Sequence, residues 1–262
     1  MRALNIAATG MQAQQTNVEV ISNNIANMNT TGYNRRRAEF TDLLYQNMKR
    51  VGSNSSDNNT IVPTGIQLGL GVRTASVYRI TEQGSLTSTS NSLDVAVQGK
   101  GYFQVQLPSG STAYTHDGEF QLSSTGQLVT SQGYTVLPAI TVPTNALSVT
   151  INNSGQVSVS LSGQTNDSIV GQLQLAVFPN EAGLEAQGDN LFMETAASGA
   201  PVVSTPGSSG YGTLLQGYLE SSNVNTVTEV TDMISAQRAY EMNSKVIQSA
   251  DEMLQTLNQV KS

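Results

Sequence analysis

Two apolar stripes, one at each end of the chain, constrain this fold more than anything between them. Leu4, Ala7, Met11, Gln14, Val18, Ile21, Ile25 and Met28 fall at alternating steps of three and four. Met233, Ala236, Tyr240, Asn243, Ile247, Ala250, Leu254 and Leu257 repeat the spacing. This is the a/d seam of a heptad, broken once in each stripe by an amide, Gln14 or Asn243. Gly10 alone lowers helix propensity in these stretches. Asn29–Gly32 reads as the stop of the first helix, because glycine takes the left-handed conformation a helix end needs. Each helix is expected to run roughly 25–30 residues, or about 40 Å. A helix with an apolar seam must bury it. Two of them at opposite ends predict pairing with each other, the intervening chain looping out. A single amide in such a seam fixes register at some cost in stability. The plainer alternative is two ordinary core helices of one globule.

The middle reads as β-structure. Leu93, Val95 and Val97 alternate with polar or small residues, as do Phe103, Val105 and Leu107. Leu147, Val149 and Ile151 follow, then Val157, Val159 and Leu161, then Leu173, Leu175 and Val177. Between these runs lie turn clusters at Pro108–Gly110, His116–Gly118, Ser124–Gly126, Asn152–Gly155 and Ser162–Gly163. Short alternating strands spaced by such turns predict an antiparallel sandwich or barrel. Gly52–Thr60 is polar and reads as an exposed loop, and Thr195–Gly212 is also loop-like. The expected class is therefore α+β, with N- and C-terminal helices paired as a coiled-coil stem around an inserted all-β domain. The boundaries expected are a helical stem over 1–44, an extended arm or linker over 45–92, the β domain over 93–219 and the second stem helix over 220–262.

Charge is scarce and unevenly placed. Charged residues make up 12% of the 262, against about a quarter in an average domain, and the net charge is −7. No Lys or Arg occurs from Gly101 to Gln237, where ten acids lie. A segment without cations makes no phosphate contacts, so nucleic acid is excluded as its partner. Arg35–Arg37 is the one basic run and, with Glu39 and Asp42 close behind, reads as a solvated or intersubunit patch. Asn5, Thr9 and Gln12 interrupt any apolar leader core, so no cleaved secretory leader is expected. No apolar run approaches the ~18 residues of a membrane span.

Catalytic chemistry finds little footing. There is no Cys and a single His, which removes disulfide frameworks, thiolate metal sites and Cys nucleophiles. His116 sits in a turn sequence, Tyr114–Gly118, with no G-x-S-x-G elbow elsewhere, and reads as a surface turn residue. Asp117 and Glu119 do not fit the calcium-loop pattern. Gly65–Gly71 and Gly99–Gly101 lack the Lys-Ser/Thr and the helix of a phosphate loop, so they read as turns. No catalytic residue, cofactor or metal ligand is expected.

Five segments carry more than pattern. Ser22-Asn23-Asn24-Ile25-Ala26-Asn27-Met28-Asn29-Thr30-Thr31-Gly32-Tyr33 resembles the N-terminal signature of the bacterial flagellar rod and hook proteins, with Ser22 where Ala is usual. Glu220–Asn225 and Gln237–Lys245 are similar to the matching C-terminal signature. Leu93–Phe103 resembles the family's D-[VF]-A-[IV]-x-G-x-G-[FY]-F segment. Tyr114–Phe120 is similar to another, in which many members carry Arg at the position of His116.

The resemblance covers nearly the whole chain. It implies a structural subunit of the flagellar basal body, of the distal rod in particular, given the length and the extended segment Tyr45–Gly71. A proximal rod or hook subunit is the alternative within the family, and a secreted or phage-tail-like glycan-binding β domain the alternative outside it. The implied life of such a subunit is export through the flagellar apparatus and assembly into a hollow helical shaft spanning the periplasm. The implied partners are copies of itself, proximal rod and hook or hook-junction subunits, the peptidoglycan and outer-membrane rings, and the export apparatus. The acidic middle would lie outside, where the lack of Lys and Arg means no strong pairing with anionic peptidoglycan or lipid headgroups. The assembly interface expected comprises Leu4, Met11, Val18, Ile21, Asn23, Asn24, Ile25, Asn27 and Asn29 at one end. At the other it comprises Gln237, Arg238, Tyr240, Asn243, Ile247, Leu254 and Leu257. The Asn cluster is expected to bond between subunits through paired donors and acceptors, with local capping as its alternative.

Overall fold

A computed structural model describes residues 2–49, 64–163 and 166–261. The chain divides into two units, residues 1–26, 36–78 and 225–262 forming the first, and 27–35 with 79–224 the second. The expected loop Gly52–Thr60 lies outside the described residues.

The first unit is built on two helices, α1 (Arg2–Ala26) and α2 (Thr226–Lys261). They pack along each other. Their direction follows from two meetings. Asn24 reaches Glu229 at one end, and Gly10 lies against Asn243 fourteen residues further along each helix. One numbering falls as the other rises, so the helices run antiparallel. The inward faces follow the sequence stripes closely. Ala7, Ile21, Ala236 and Ala250 are buried, with Leu4, Met11, Gln14, Val18, Ile25, Met233, Asn243, Ile247 and Leu254 partly so. Tyr240 departs from its stripe: it is 44% exposed, and Ala239 takes the inward position beside it. At 36 residues α2 outruns the expected length, whereas α1 has 25. Helix α1 stops at Ala26, and Gly32, at φ +64°, turns a corner six residues later instead of capping the helix directly.

Among the described residues four strands complete this unit: β1 (Arg36–Asp42), β2 (Tyr45–Lys49), β3 (Ile66–Gly69) and β4 (Val72–Arg79). β1 pairs with β4, and β2 with β3 as an antiparallel hairpin. Residues 36–42, read from sequence as part of the helical stem, are thus a strand packed on α1. Gly71, at φ +123°, is forced by the approach of α1: a Cβ there would stand 2.2 Å from the hydroxyl of Thr9.

The second unit is β throughout apart from one short 3₁₀ turn, Glu181–Gly183. Its strands are β5 (Leu86–Ser88), β6 (Val95–Gln98), β7 (Tyr102–Gln106), β8 (Thr112–Thr115), β9 (Phe120–Leu122), β10 (Leu128–Thr130), β11 (Thr135–Leu137), β12 (Ala146–Ile151) and β13 (Gln156–Leu161). There follow β14 (Ser168–Gln172), β15 (Leu175–Val177), β16 (Glu185–Gly188), β17 (Leu191–Met193), β18 (Val202–Ser204), β19 (Thr213–Gln216) and β20 (Tyr218–Glu220). β7 is the hub of the largest sheet. One edge pairs with β8, while the other is shared by β15 opposite Tyr102 and Phe103 and β11 opposite Gln104–Gln106. β12, β13 and β14 form a separate antiparallel sheet, β6 pairs with β19, and β5 with β20.

The expected glycine turns at Gly110, Gly126, Gly155 and Gly163 all take positive φ and sit between the strands they were expected to separate. Alternation served less well in two places. Val95, Ala96 and Val97 are all buried, because β6 is covered on both faces. Leu147, expected to point inward, is 73% exposed, because a register shift between Ala146 and Ser148 lifts it out of the ladder. The core gathers Val95, Val97, Phe103, Phe120, Val157, Leu173 and Leu175. Burying each such side chain stabilises by about 1.5–3 kcal/mol relative to leaving it exposed. A smaller cluster holds Tyr102, Tyr114, Phe178 and Phe192 in edge-to-face contacts, with the Arg79 guanidinium 4.1 Å above the Phe192 ring.

Candidate functional site

The signature segments supply contacts within each unit of the chain. In the second unit, residues 27–35, 79–84 and 220–224 are laced together by two side chains, Asn223 and Glu220. Asn223 Oδ1 accepts from the backbone N–H of Arg35 at 2.7 Å, while its Nδ2 donates to the carbonyls of Ile80 and Glu82 at 2.9 and 2.8 Å. One amide thereby saturates three backbone groups on two segments, which is what its paired donors and acceptor suit it for. The backbone adds Ile80 N–H to Arg35 O, and Asn223 N–H to Tyr33 O.

Glu220 is the second lace. Its carbonyl accepts from Gly32 N–H at 2.8 Å, and its Oε1 from Gly84 N–H at 2.8 Å. Its Oε2 lies 2.9 Å from Nδ1 of His116. Both glycines are dictated by close approach. A Cβ at Gly84 would stand 1.9 Å from the carbonyl oxygen of Ser221, and one at Gly32 would press on the His116 backbone. His116 is therefore no surface turn residue: its side chain is 12% exposed. The segment folds inward because Gly118 packs on β6, where a Cβ would collide with the Val95 carbonyl, and because the Tyr102 ring meets the imidazole edge-on at 5.4 Å. Beside the pair lies a cavity of about 300 Å³, lined in part by Asn34, Gln83, Lys100, Asn180 and Glu181.

Burial makes two groups nearby weaker acids. The Tyr102 hydroxyl is pushed well above its ordinary range, by burial first and then by the charge of Glu181, with Arg79 opposing. The Asp117 carboxyl is also raised, chiefly by burial.

In the first unit the equivalent knot is Asn24, 1% exposed. Its Oδ1 accepts from Arg36 N–H and its Nδ2 donates to Arg36 O, both at 2.8 Å, so the side chain pairs with β1 as another strand would. The same Nδ2 reaches Glu229 Oε2 at 3.1 Å. Asn225, which the sequence reading passed over, caps α2 through bonds from the N–H groups of Val227 and Thr228 to its Oδ1. An Asn immediately before a helical stripe was the available signal.

The expected interface residues divide accordingly. Leu4, Met11, Val18, Ile21 and Ile25 line the inward side of α1, and Asn243, Ile247 and Leu254 that of α2. Asn24 is satisfied within the chain. Asn27 accepts from Thr30 in the turn after α1, while Asn23 and Asn29 are exposed. Gln237, Arg238 and Tyr240 are on the exposed side of α2. Leu257 lies in α2, its side chain outside the described residues. Among the described residues no group of three His, Cys, Asp or Glu side chains is placed to hold a metal ion, and no helix is long and apolar enough to cross a membrane.

Residues 4–34 match the family described as flagella basal body rod protein. Residues 96–159 match the flagellar hook protein FlgE/F/G D1 domain, and residues 215–260 the flagellar basal body rod FlgEFG protein C-terminal region. The flagellar basal-body rod protein FlgG of Caulobacter vibrioides is 61% identical over 262 residues, covering 100% of both chains. FlgG of Agrobacterium fabrum is 56% identical over 253 residues, 97% of each chain. FlgG of Bacillus subtilis is 41% identical over 267 residues, covering 100% of this chain and 99% of its own. The relatives align over the whole length of the chain, and the chain belongs to the FlgG family of flagellar basal-body rod proteins, structural subunits of the distal rod and not enzymes.

Proposed function

We propose that the chain polymerises through its two terminal helices, paired as a coiled-coil stem, into the hollow helical shaft that passes torque to the hook. One observation carries this reading. Outside its contact with α1, α2 bears further apolar residues, Val227, Val230, Ile234, Met242, Val246 and Met253, and all six are exposed. At 100° per residue Val227, Val230 and Ile234 fall on the side opposite Ala236 and Ala250, and Met242, Val246 and Met253 on one flank. A helix apolar on both sides belongs in the interior of an assembly, and copies of the same chain are the partners a rod subunit meets.

The β2–β3 hairpin supplies a second contact, an arm between subunits, with Leu44, Met48, Ile66, Leu68 and Leu70 all exposed along it. The implied setting is the periplasmic span of the basal body, reached by export without a cleaved leader. The implied neighbours are proximal rod and hook or hook-junction subunits within the surrounding rings. A glycan-binding reading gains nothing, since Tyr102, Tyr114, Phe178 and Phe192 are packed against one another.

The test replaces Ile234 and Val246 by Glu in the full chain. Both are exposed, so the folded subunit is expected to keep its stability within about 0.5 kcal/mol while straight polymer disappears from electron micrographs and motility is lost. Normal rods from that variant would overturn the reading.

A further inference from the structure

Charge is segregated on the second unit. The 47 residues from Phe120 to Asn166 hold no charged side chain and no histidine, where average usage would place about a dozen charges. The run forms β9 to β13. Between the end of β9 and the start of β12 lies a groove of about 380 Å³, lined among others by Leu93, Leu122, Val142, Pro143, Leu147 and Val149. Every lining residue is uncharged. Leu122 is 41% exposed there, and Leu147, set out by the register shift, 73%. The acids nearest in sequence are occupied elsewhere: Asp94, next to Leu93, is 5% exposed, and Glu119 lines a separate cleft with Asp117 and Asp189. Exposed apolar groups around an uncharged hollow mark the core of a contact, from which charge is normally depleted.

Charge also points to the occupant. Of the Lys and Arg in this unit, Arg35 pairs with Glu82, Arg79 donates to the carbonyls of Glu181 and Leu184, and Lys100 shares a cavity with Glu82 and Glu181. Exposed acids remain on and after β16, at Glu185, Asp189 and Glu194. Where such acids of two copies face each other they repel, so copies meet at least cost through uncharged surface. The chain carries a second run of that kind, Thr195–Leu219, and in it Val202 and Val203 of β18 are 59% and 40% exposed. We propose that the groove between β9 and β12 is a docking surface for a second copy of this chain, which seats its Val202–Val203 ridge there. A groove and a ridge on different strands of one chain make a head-to-tail contact, the kind that propagates into a filament. The inference rests on the polymer reading above and adds to it a contact between β units.

The chain has no Cys, so a single introduced thiol reports on one position. Leu147→Cys, Val202→Cys and Glu185→Cys are made in the full chain and labelled with a maleimide, first as monomer and then in sedimented polymer. Each is copolymerised with an excess of the native chain, so that polymer forms whatever the variant does. On polymerisation, labelling is expected to slow about tenfold or more at the first two and less than about twofold at Glu185→Cys, because a packed interface excludes the reagent. Exclusion of the first two variants from polymer that admits Glu185→Cys would support the contact equally. Unchanged labelling of Leu147→Cys or Val202→Cys in polymer would overturn the inference and leave the polymer reading standing. Slowing at all three positions would overturn the argument from charge, and the proposal with it. Slowing seen only in basal bodies isolated from cells would give the groove to another protein, which also overturns it. A native chain that forms no polymer removes the polymer reading itself, and this contact with it.

Discussion

The side-chain amide of Asn24 donates to Oε2 of Glu229, 205 positions further along the chain, and both residues are buried where α1 meets α2. The bond joins the end of the first helix to the beginning of the last, and the same Asn24 fixes the start of β1 through Arg36.

Asn24→Ala removes all three bonds and leaves the Glu229 carboxylate, 6% exposed, without that donor. A loss of about 2–4 kcal/mol is expected from urea denaturation. In the double variant with Glu229→Gln the loss should shrink, because the charge left behind is gone. Strict additivity of the two changes would show that Asn24 and Glu229 are not coupled.

Gly10 tests the close approach of the helices. A Cβ there would meet Nδ2 of Asn243 at 2.9 Å, the movable end of a side chain. Gly10→Ala gains about 1 kcal/mol of helix propensity, so its melting temperature should match or exceed that of the native chain. Gly10→Leu has no such room and should lose about 1–3 kcal/mol. Equal stability for both variants would place the helices further apart than found.

Asp117 gives a pH dependence with a definite sign. Burial, reinforced by Glu119 and Asp94, raises its folded pKa, against the opposing Glu119 N–H and Asn190 amide. A folded chain that holds the proton more tightly is favoured by this group at low pH and disfavoured once the pH has risen through the folded value. Asp117→Asn is therefore expected to melt ~1–3 °C higher than the native chain at pH 7. The gap should close as the pH is lowered through the carboxylate range, and a gap constant from pH 7 to 4 would contradict the burial.

Two glycines of the β unit make a matched pair. At Gly118 an added Cβ would lie 1.7 Å from the carbonyl oxygen of Val95, with only backbone to yield. At Gly110 φ is +86° but nothing stands within 4 Å. Gly118→Ala should lose more than ~3 kcal/mol or fail to fold, whereas Gly110→Ala should cost about 1–2 kcal/mol of backbone strain. Soluble yield and melting temperature separate them.

The helices and the glycine turns were legible because each rests on local chemistry: a repeat of three and four, or a residue without a Cβ at a corner. Burial in the sheets was not fully legible. A one-residue shift at Ala146 puts Leu147 into solvent, and coverage on both faces buries Ala96; neither depends on the residues of the strand itself. The knots were hidden for another reason. Asn24, Glu220 and Asn223 are ordinary polar residues in sequence, and only the meeting of segments some 140 to 205 positions apart reveals their partners. His116 misled for the same reason, since its turn is folded inward by Gly118.

The lacing of Gly32 to Glu220 also bears on the order in which the molecule assembles itself. Helix α1 is synthesised first, yet its partner α2 comes last. Closing the chain directly between Asn24 and Glu229 confines a loop of 205 residues. Once Gly32 and Glu220 are joined, the loop left to close has seven residues between Asn24 and Gly32 and eight between Glu220 and Glu229. The logarithmic cost of closure then drops by about 2 kcal/mol. The Gly32–Glu220 corner thereby lowers the entropic cost of bringing α1 and α2 together, although the two lie at opposite ends of the sequence.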